Sequence, residues 1–241
     1  MARTTLKSAP VLAPIRVRRG YFECRFGQLH LHNAMPPGGG FEEGTPLLCL
    51  HDVPGSGRSF TPLLALAGRE RSVYAPDLPG CGESDGPAGP AALADYARAL
   101  GDFLDSMRLR SLDILGVRGG ALLAAELALE RGAQVGRLVM LSVPLPRAGE
   151  RSPLPAPAAD VGEGQRALAE ALEKYPARER LARLTQKLLV LRAHDELAEP
   201  SARVREVLPA SRVLELETGA RELLASQPAR LLEAVRDFLR G

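Results

Sequence analysis

Apolar residues fall along this chain in short runs, separated by longer stretches in which they recur at helical spacing. From Gly20 to His32, two alternating segments about Gly27 have the pattern of a β-hairpin. Residues 36–40 are rich in Pro and Gly and read as a loop. Leu47–Leu50 is a short apolar run suited to a buried strand. A Gly/Ser turn then leads to a helix expected from Phe60 to Gly68, and Val73–Pro76 is the next strand. Leu93, Tyr96, Ala97, Leu100, Phe103, Leu104 and Met107 mark one face of an amphipathic helix. Leu112–Leu115 is a strand, and an apolar helix runs on to Glu130. Strands are expected again at Leu138–Leu141, Leu188–Leu191 and Val213–Leu216, with a terminal helix carrying Leu231, Leu232, Val235, Phe238 and Leu239.

Strands alternating with helices require crossover connections, so the expected fold is α/β. Its mostly parallel sheet of about eight strands has helices on both faces. One domain spanning 1–241 suffices. The segment 145–186 breaks the rhythm: it is Pro- and Ala-rich at first, then carries a charged helix near Gly164–Lys174 and a second near Arg178–Leu184. It reads either as a solvated insertion or as a reduced lid over a pocket.

Composition narrows the function classes. The 31 basic and 29 acidic residues leave a formal charge of +2, so neither nucleic acid nor an anionic membrane is the expected partner. Trp is absent and aromatics make up 4%, while Ala, Arg, Gly and Pro are abundant, a bias of high-GC bacterial coding. Cys24, Cys49 and Cys81 form no CxxC, which fits a reducing cytoplasm rather than a disulfide framework. Residues 1–14 lack a leader pattern, and no run approaches the ~20 apolar residues of a spanning helix. A cytoplasmic location is expected.

Three stretches carry a resemblance. Leu50-His51-Asp52-Val53-Pro54-Gly55-Ser56-Gly57 is similar to the His-Gly-x-Pro-Gly loop of the α/β-hydrolase family. Residues 75–85, with Asp77-Leu78-Pro79-Gly80-Cys81-Gly82 at their centre, resemble that family's turn after the fourth strand. Leu115-Gly116-Val117-Arg118-Gly119-Gly120 stands where its Gly-x-Ser-x-Gly nucleophile elbow belongs. The order and spacing of the three match, and the resemblance extends from Gly20 onward. It implies an α/β-hydrolase fold, with oxyanion donors at Val53 and Gly119.

The chemistry departs from the family. Arg118 occupies the serine position, and a guanidinium is no nucleophile near neutral pH. Asp195 matches the acid position, but Arg221 stands where the histidine should be. The four histidines are His30, His32, His51 and His194, so none follows the acid. His51, in the oxyanion loop, suits a structural group better than a base. Two ion pairs are expected, Arg118 with Asp52 and Arg221 with Asp195; alternatively Arg118 grips a bound anion.

Three functions follow. The leading one is a non-hydrolytic lyase, isomerase or cyclase of bacterial secondary metabolism, acting on an acidic or carbonyl-containing small molecule. Arg118 and the oxyanion loops would stabilise negative charge, with Asp52, Asp195, His51 and Arg221 as the remaining candidate site residues. The alternative is a catalytically dead pseudoenzyme that binds an anionic ligand or a partner, a homodimer included. The third is residual hydrolysis by an unorthodox residue such as Cys81, where a structural thiol is the simpler reading. No cofactor is implied: the histidines are scattered, and no dinucleotide glycine fingerprint follows a strand.

Overall fold

A computed structural model describes residues 15–39 and 44–240. The N-terminal stretch read above for a leader, and Gly40 at the end of the Pro/Gly loop, lie outside the described residues. Eight strands are described: β1 (Arg18–Cys24), β2 (Gly27–Ala34), β3 (Leu47–Leu50), β4 (Val73–Pro76), β5 (Leu112–Val117), β6 (Val135–Leu141), β7 (Lys187–Arg192) and β8 (Arg212–Glu215). They form one sheet in the order β1-β2-β4-β3-β5-β6-β7-β8. The β1/β2 and β2/β4 pairs are antiparallel, and the rest are parallel.

The helices are α1 (Thr61–Ala67), α2 (Leu93–Ser106), α3 (Gly119–Arg131), α4 (Glu163–Glu173), α5 (Ala177–Leu181), α6 (Ala198–Ala202), α7 (Val204–Val207), α8 (Ala220–Ala225) and α9 (Pro228–Arg240). The short α6, α7 and α8 were not foreseen; each is too brief to show a helical period in its apolar positions. The terminal helix and α2 follow the expected faces closely.

Strand period explains how the core divides. In β3, Leu48 and Leu50 turn to one face of the sheet while Leu47 and Cys49 turn to the other. The first face packs Ile114 and Met140 against α2 and α3; the second packs Leu115, Val139 and Leu141 against α1, α8 and α9. Both faces are covered, so β3 and β5 are buried throughout, and their sequences run apolar rather than alternating, with Asp113 of β5 the one charged residue among them. Nearly every residue of α3 is buried as well, because it lies between the sheet and the helices of the 145–186 segment.

One polar cluster ties that segment down. Glu126 of α3, its side chain 3% exposed, takes Arg180 at 2.8 and 2.6 Å and the Tyr175 hydroxyl at 2.9 Å. The two nitrogens of Arg180 meet the two oxygens of Glu126 as a fork. Arg180→Ala strands a buried carboxylate and is expected to cost about 3 kcal/mol. Urea unfolding checks the loss, and limited proteolysis should show earlier cleavage within 145–186 than in the parent.

Candidate functional site

The elbow follows from backbone sterics. Arg118 lies between β5 and α3 at φ 53°, ψ −115°, a strained conformation for a residue with a side chain. The turn is possible because Gly116 and Gly120 flank it. A Cβ on Gly116 would lie 2.6 Å from the Ala121 Cα, and one on Gly120 would collide with the carbonyls of Leu50 and His51. The strand-to-helix crossing is thus so close that the loop after β3 sits against the start of α3.

Asp52 is carried into the turn by that contact. Its Oδ1 accepts the Val53 N–H at 2.8 Å and the Gly119 N–H at 3.3 Å. These are the two donors expected to form the oxyanion hole, and a carboxylate oxygen of the chain itself fills it. The Asp52 Oδ2 lies 2.7 Å from Arg118 Nε. The Nε–H is not aligned with that contact, which is an ion pair rather than a directed hydrogen bond. Arg118 is 2% exposed, and its Nη2 donates to Glu196 Oε1 at 2.7 Å. Burial pushes the Asp52 carboxyl above the usual carboxylate range, and Arg118 together with the two N–H donors partly offsets it. Burial also opposes the charge on Arg118, but Asp52 and Glu196 more than compensate and raise its pKa.

Asp195 and Arg221 do not meet as expected. Asp195 Oδ2 accepts the Ser142 hydroxyl at 2.7 Å and the Ala220 N–H at 3.3 Å, while Oδ1 accepts the Leu197 N–H at 3.0 Å. Arg221 is exposed in the first turn of α8. The physical reason is direction: Ala220 N–H faces Asp195, and the next side chain along the helix points outward. Glu196, not singled out from the sequence, is the second partner of Arg118. Its only sequence signal is adjacency to Asp195. Ser142 is fully buried at φ 53° and holds Asp195 in place.

His51 is fully occupied. Its Nδ1 lies 2.7 Å from the Asp52 carbonyl and its Nε2 accepts the Leu78 N–H at 2.9 Å, which fixes a neutral tautomer with the proton on Nδ1. Complete burial pushes its pKa down to about 4. Cys81 is buried and its thiol is pushed up to about 12, chiefly by that burial, so no thiolate is present at neutral pH. His30 and His32 converge with Asp77, all three buried, with one donor atom of each within 4.8 Å of the others. Sequence scatter concealed this group, although the i, i+2 spacing on a strand was its available signal.

Leu172 of α4 and Leu154 lie over Gly119: a Cβ there would be 2.9 Å and 3.7 Å from their methyl carbons. A cavity of about 220 Å³ borders this point, lined by Val53, Leu154, Pro155, Pro157, Ala169 and Leu172. Among the described residues no helix is long and apolar enough to cross a membrane.

Comparison with known proteins agrees with the overall fold. A family model for the alpha/beta hydrolase fold matches residues 45–216. Among solved structures, an enol-lactonase from Burkholderia xenovorans superposes at TM-score 0.76 with 16% identity, covering 92% of this chain and 100% of that one. A thermophilic esterase from Thermogutta terrifontis gives 0.75 and 18%, covering 92% and 98%. A carboxylesterase from Bacillus subtilis gives 0.72 and 19%, covering 94% and 92%. At such identities the likeness is one of fold. Among curated proteins, an uncharacterized protein of Mycobacterium tuberculosis is 28% identical over 99 residues, 41% of this chain and 29% of that protein. The chain therefore matches under a third of that relative's length.

Proposed function

The chain belongs to the alpha/beta hydrolase fold family, and from that premise we propose that it is a member without serine-hydrolase chemistry, whose former catalytic centre binds a small anionic molecule rather than turning it over. The observation that carries this reading is the Asp52 Oδ1 in the oxyanion hole, accepting both Val53 and Gly119 N–H. A hole stabilises a developing oxyanion only if its donors are free to receive it. Here they are taken, the nucleophile position is Arg118, and no histidine follows residue 194. Arg118 keeps one exchangeable partner. The side chain of Glu196 is 62% exposed, so solvent screens its half of the pair and lowers the cost of exchanging it. An incoming carboxylate can therefore replace Glu196 at Nη2 while Asp52 stays in the hole. The 145–186 segment then acts as a reduced lid, with Leu154 and Leu172 as its apolar contact. A second copy of the chain over the lid is compatible with this role.

Two measurements test the proposal. With p-nitrophenyl acetate and butyrate, the purified chain should release nitrophenol no faster than buffer. In a thermal-shift panel of small carboxylic acids, at least one should raise the Tm of the wild type and leave Arg118→Ala unmoved. Ester turnover proportional to protein, or no shift with any anion, would overturn it.

One observation favours a second reading, a non-hydrolytic lyase, isomerase or cyclase. The Asp52 carboxyl, held above its usual range by burial, is suited to proton transfer. Conversion of a bound acid, lost in Asp52→Asn, would favour this reading over binding alone.

A further inference from the structure

The buried group formed by His30, His32 and Asp77 has no part in the site at Arg118. We propose that it is a binding site for a late first-row divalent cation, Zn²⁺ being the best match to two imidazoles and one carboxylate.

The placement follows from strand pairing. His30 and His32 are two apart in β2 and point to the same face of the sheet, opposite Leu29 and Leu31. β4 runs antiparallel beside them with Leu31 opposite Pro76, and the Asp77 N–H donates to the His30 carbonyl at 2.9 Å. The carboxylate of Asp77 is thereby delivered to the histidine face. Its Oδ2 stands 2.9 Å from His30 Nδ1. That separation is close to the roughly 3.3 Å edge of a tetrahedron with bonds of about 2.0–2.1 Å. One donor atom of His32 lies within 4.8 Å of both. Among the described residues the His32 ring makes no hydrogen bond, so no such bond has to break for it to turn toward the other two donors.

Asp77 is already a rigid anchor. Its Oδ1 accepts Gly57 N–H at 2.7 Å, and its Oδ2 accepts Glu83 N–H at 2.9 Å. Cation binding replaces the His30–Asp77 hydrogen bond with one bond from each group to the metal. The His30 ring proton moves to Nε2, and both backbone donors stay on Asp77. Water completes the set. The Tyr21 ring covers His30 at a centroid distance of 5.0 Å, and its hydroxyl holds Glu83. Glu83 adds negative charge beside His30. The positive charges of Arg19 and Arg58 act on His32 and oppose a cation. The balance predicts modest affinity, not a cation essential for folding.

The experiment uses the tag-free full chain, stripped with chelator and titrated calorimetrically with Zn²⁺, and separately with Co²⁺ followed by visible absorption. The expected result is one equivalent bound, a Co²⁺ spectrum of low coordination number, and at least a tenfold loss of affinity in His32→Ala. His32 is buried and packs edge-on against His30, so the variant loses some packing and its urea midpoint falls somewhat, but it should keep the parent's circular dichroism. A second readout needs no variant: Zn²⁺ should shift the imidazole NMR signals of His30 and His32 and leave those of His194 unmoved. Absence of saturable binding, binding unchanged in His32→Ala, or unmoved His30 and His32 signals overturns the proposal and leaves the group as a polar pin between β2 and β4.

Discussion

Asp52→Ala is expected to lower the Tm by roughly 6–12 °C and to make that Tm respond to formate or acetate, which the wild type in the same salt range should feel far less. The first part follows from what Asp52 holds. Its loss leaves Arg118, 2% exposed, with Glu196 as its remaining ion-pair partner among the described residues, and takes the Asp52 acceptor from Val53 and Gly119 N–H. Breaking a buried pair from one side costs about 3–5 kcal/mol. The surviving contact to Glu196 argues for the lower figure, about 3 kcal/mol, and for a domain of this size each kcal/mol moves Tm by about 2–4 °C. The second part follows from what remains. Two N–H donors, the N-terminus of the 13-residue α3 and a guanidinium then surround a vacancy the size of a carboxylate. A small anion should enter it and recover much of the loss. Differential scanning fluorimetry against formate, acetate and chloride at matched ionic strength reads both effects. An Asp52→Ala protein as stable as the parent would remove the ion cluster from any account of this fold.

Lowering the pH from 7 to 5 is expected to destabilise the protein through His51. Its pKa is about 4 in the folded chain against 6.5 as a free side chain. The folded state thus binds fewer protons than the unfolded one, so this contribution is whole above pH 6.5 and is lost as the pH falls towards 4. Proton linkage over that window gives a loss of about 2 kcal/mol between pH 7 and 5. Asp52, raised by burial, works in the opposite direction at the acidic end, because its protonated form is the one folding favours. Urea unfolding at pH 7, 6 and 5, repeated on His51→Gln, isolates the histidine. The variant should begin less stable, having lost the aligned bond to Leu78 N–H, and should show a flatter pH profile. Parallel profiles for the two proteins would mean that His51 is not the group responsible.

The fold was legible in particular residues. Runs such as Leu47–Leu50 and Leu188–Leu191 are continuously apolar because both faces of their strands are buried, and that can be read without coordinates. Gly116 and Gly120 announced the tight turn, since a side chain at either would strike backbone. The short α6, α7 and α8 are invisible in the sequence, because four to six residues carry no period. At the site the available chemistry was legible but not the pairing. Asp52 is a candidate partner of Arg118 from sequence, whereas nothing in the sequence points to Glu196, whose neighbour Asp195 matches the acid position and is expected to pair with Arg221.

Residue identity along the chain carries the proposal of a centre without serine-hydrolase chemistry: Arg118 stands between β5 and α3, and no imidazole follows residue 194 in this sequence. Partnership depends on the sheet. Arg118 and Glu196 are 78 residues apart, and β5 and β7, with β6 between them, end at the same edge and bring the two within 2.7 Å. The crossing of β3 against α3 puts the Asp52 carboxylate on the Val53 and Gly119 N–H groups rather than wholly in solvent. Pairing β2 with β4 likewise gathers His30, His32 and Asp77 from positions 47 residues apart. A buried charge must find whichever opposite charge or donor the topology places within reach, and strand order sets that reach while sequence distance does not.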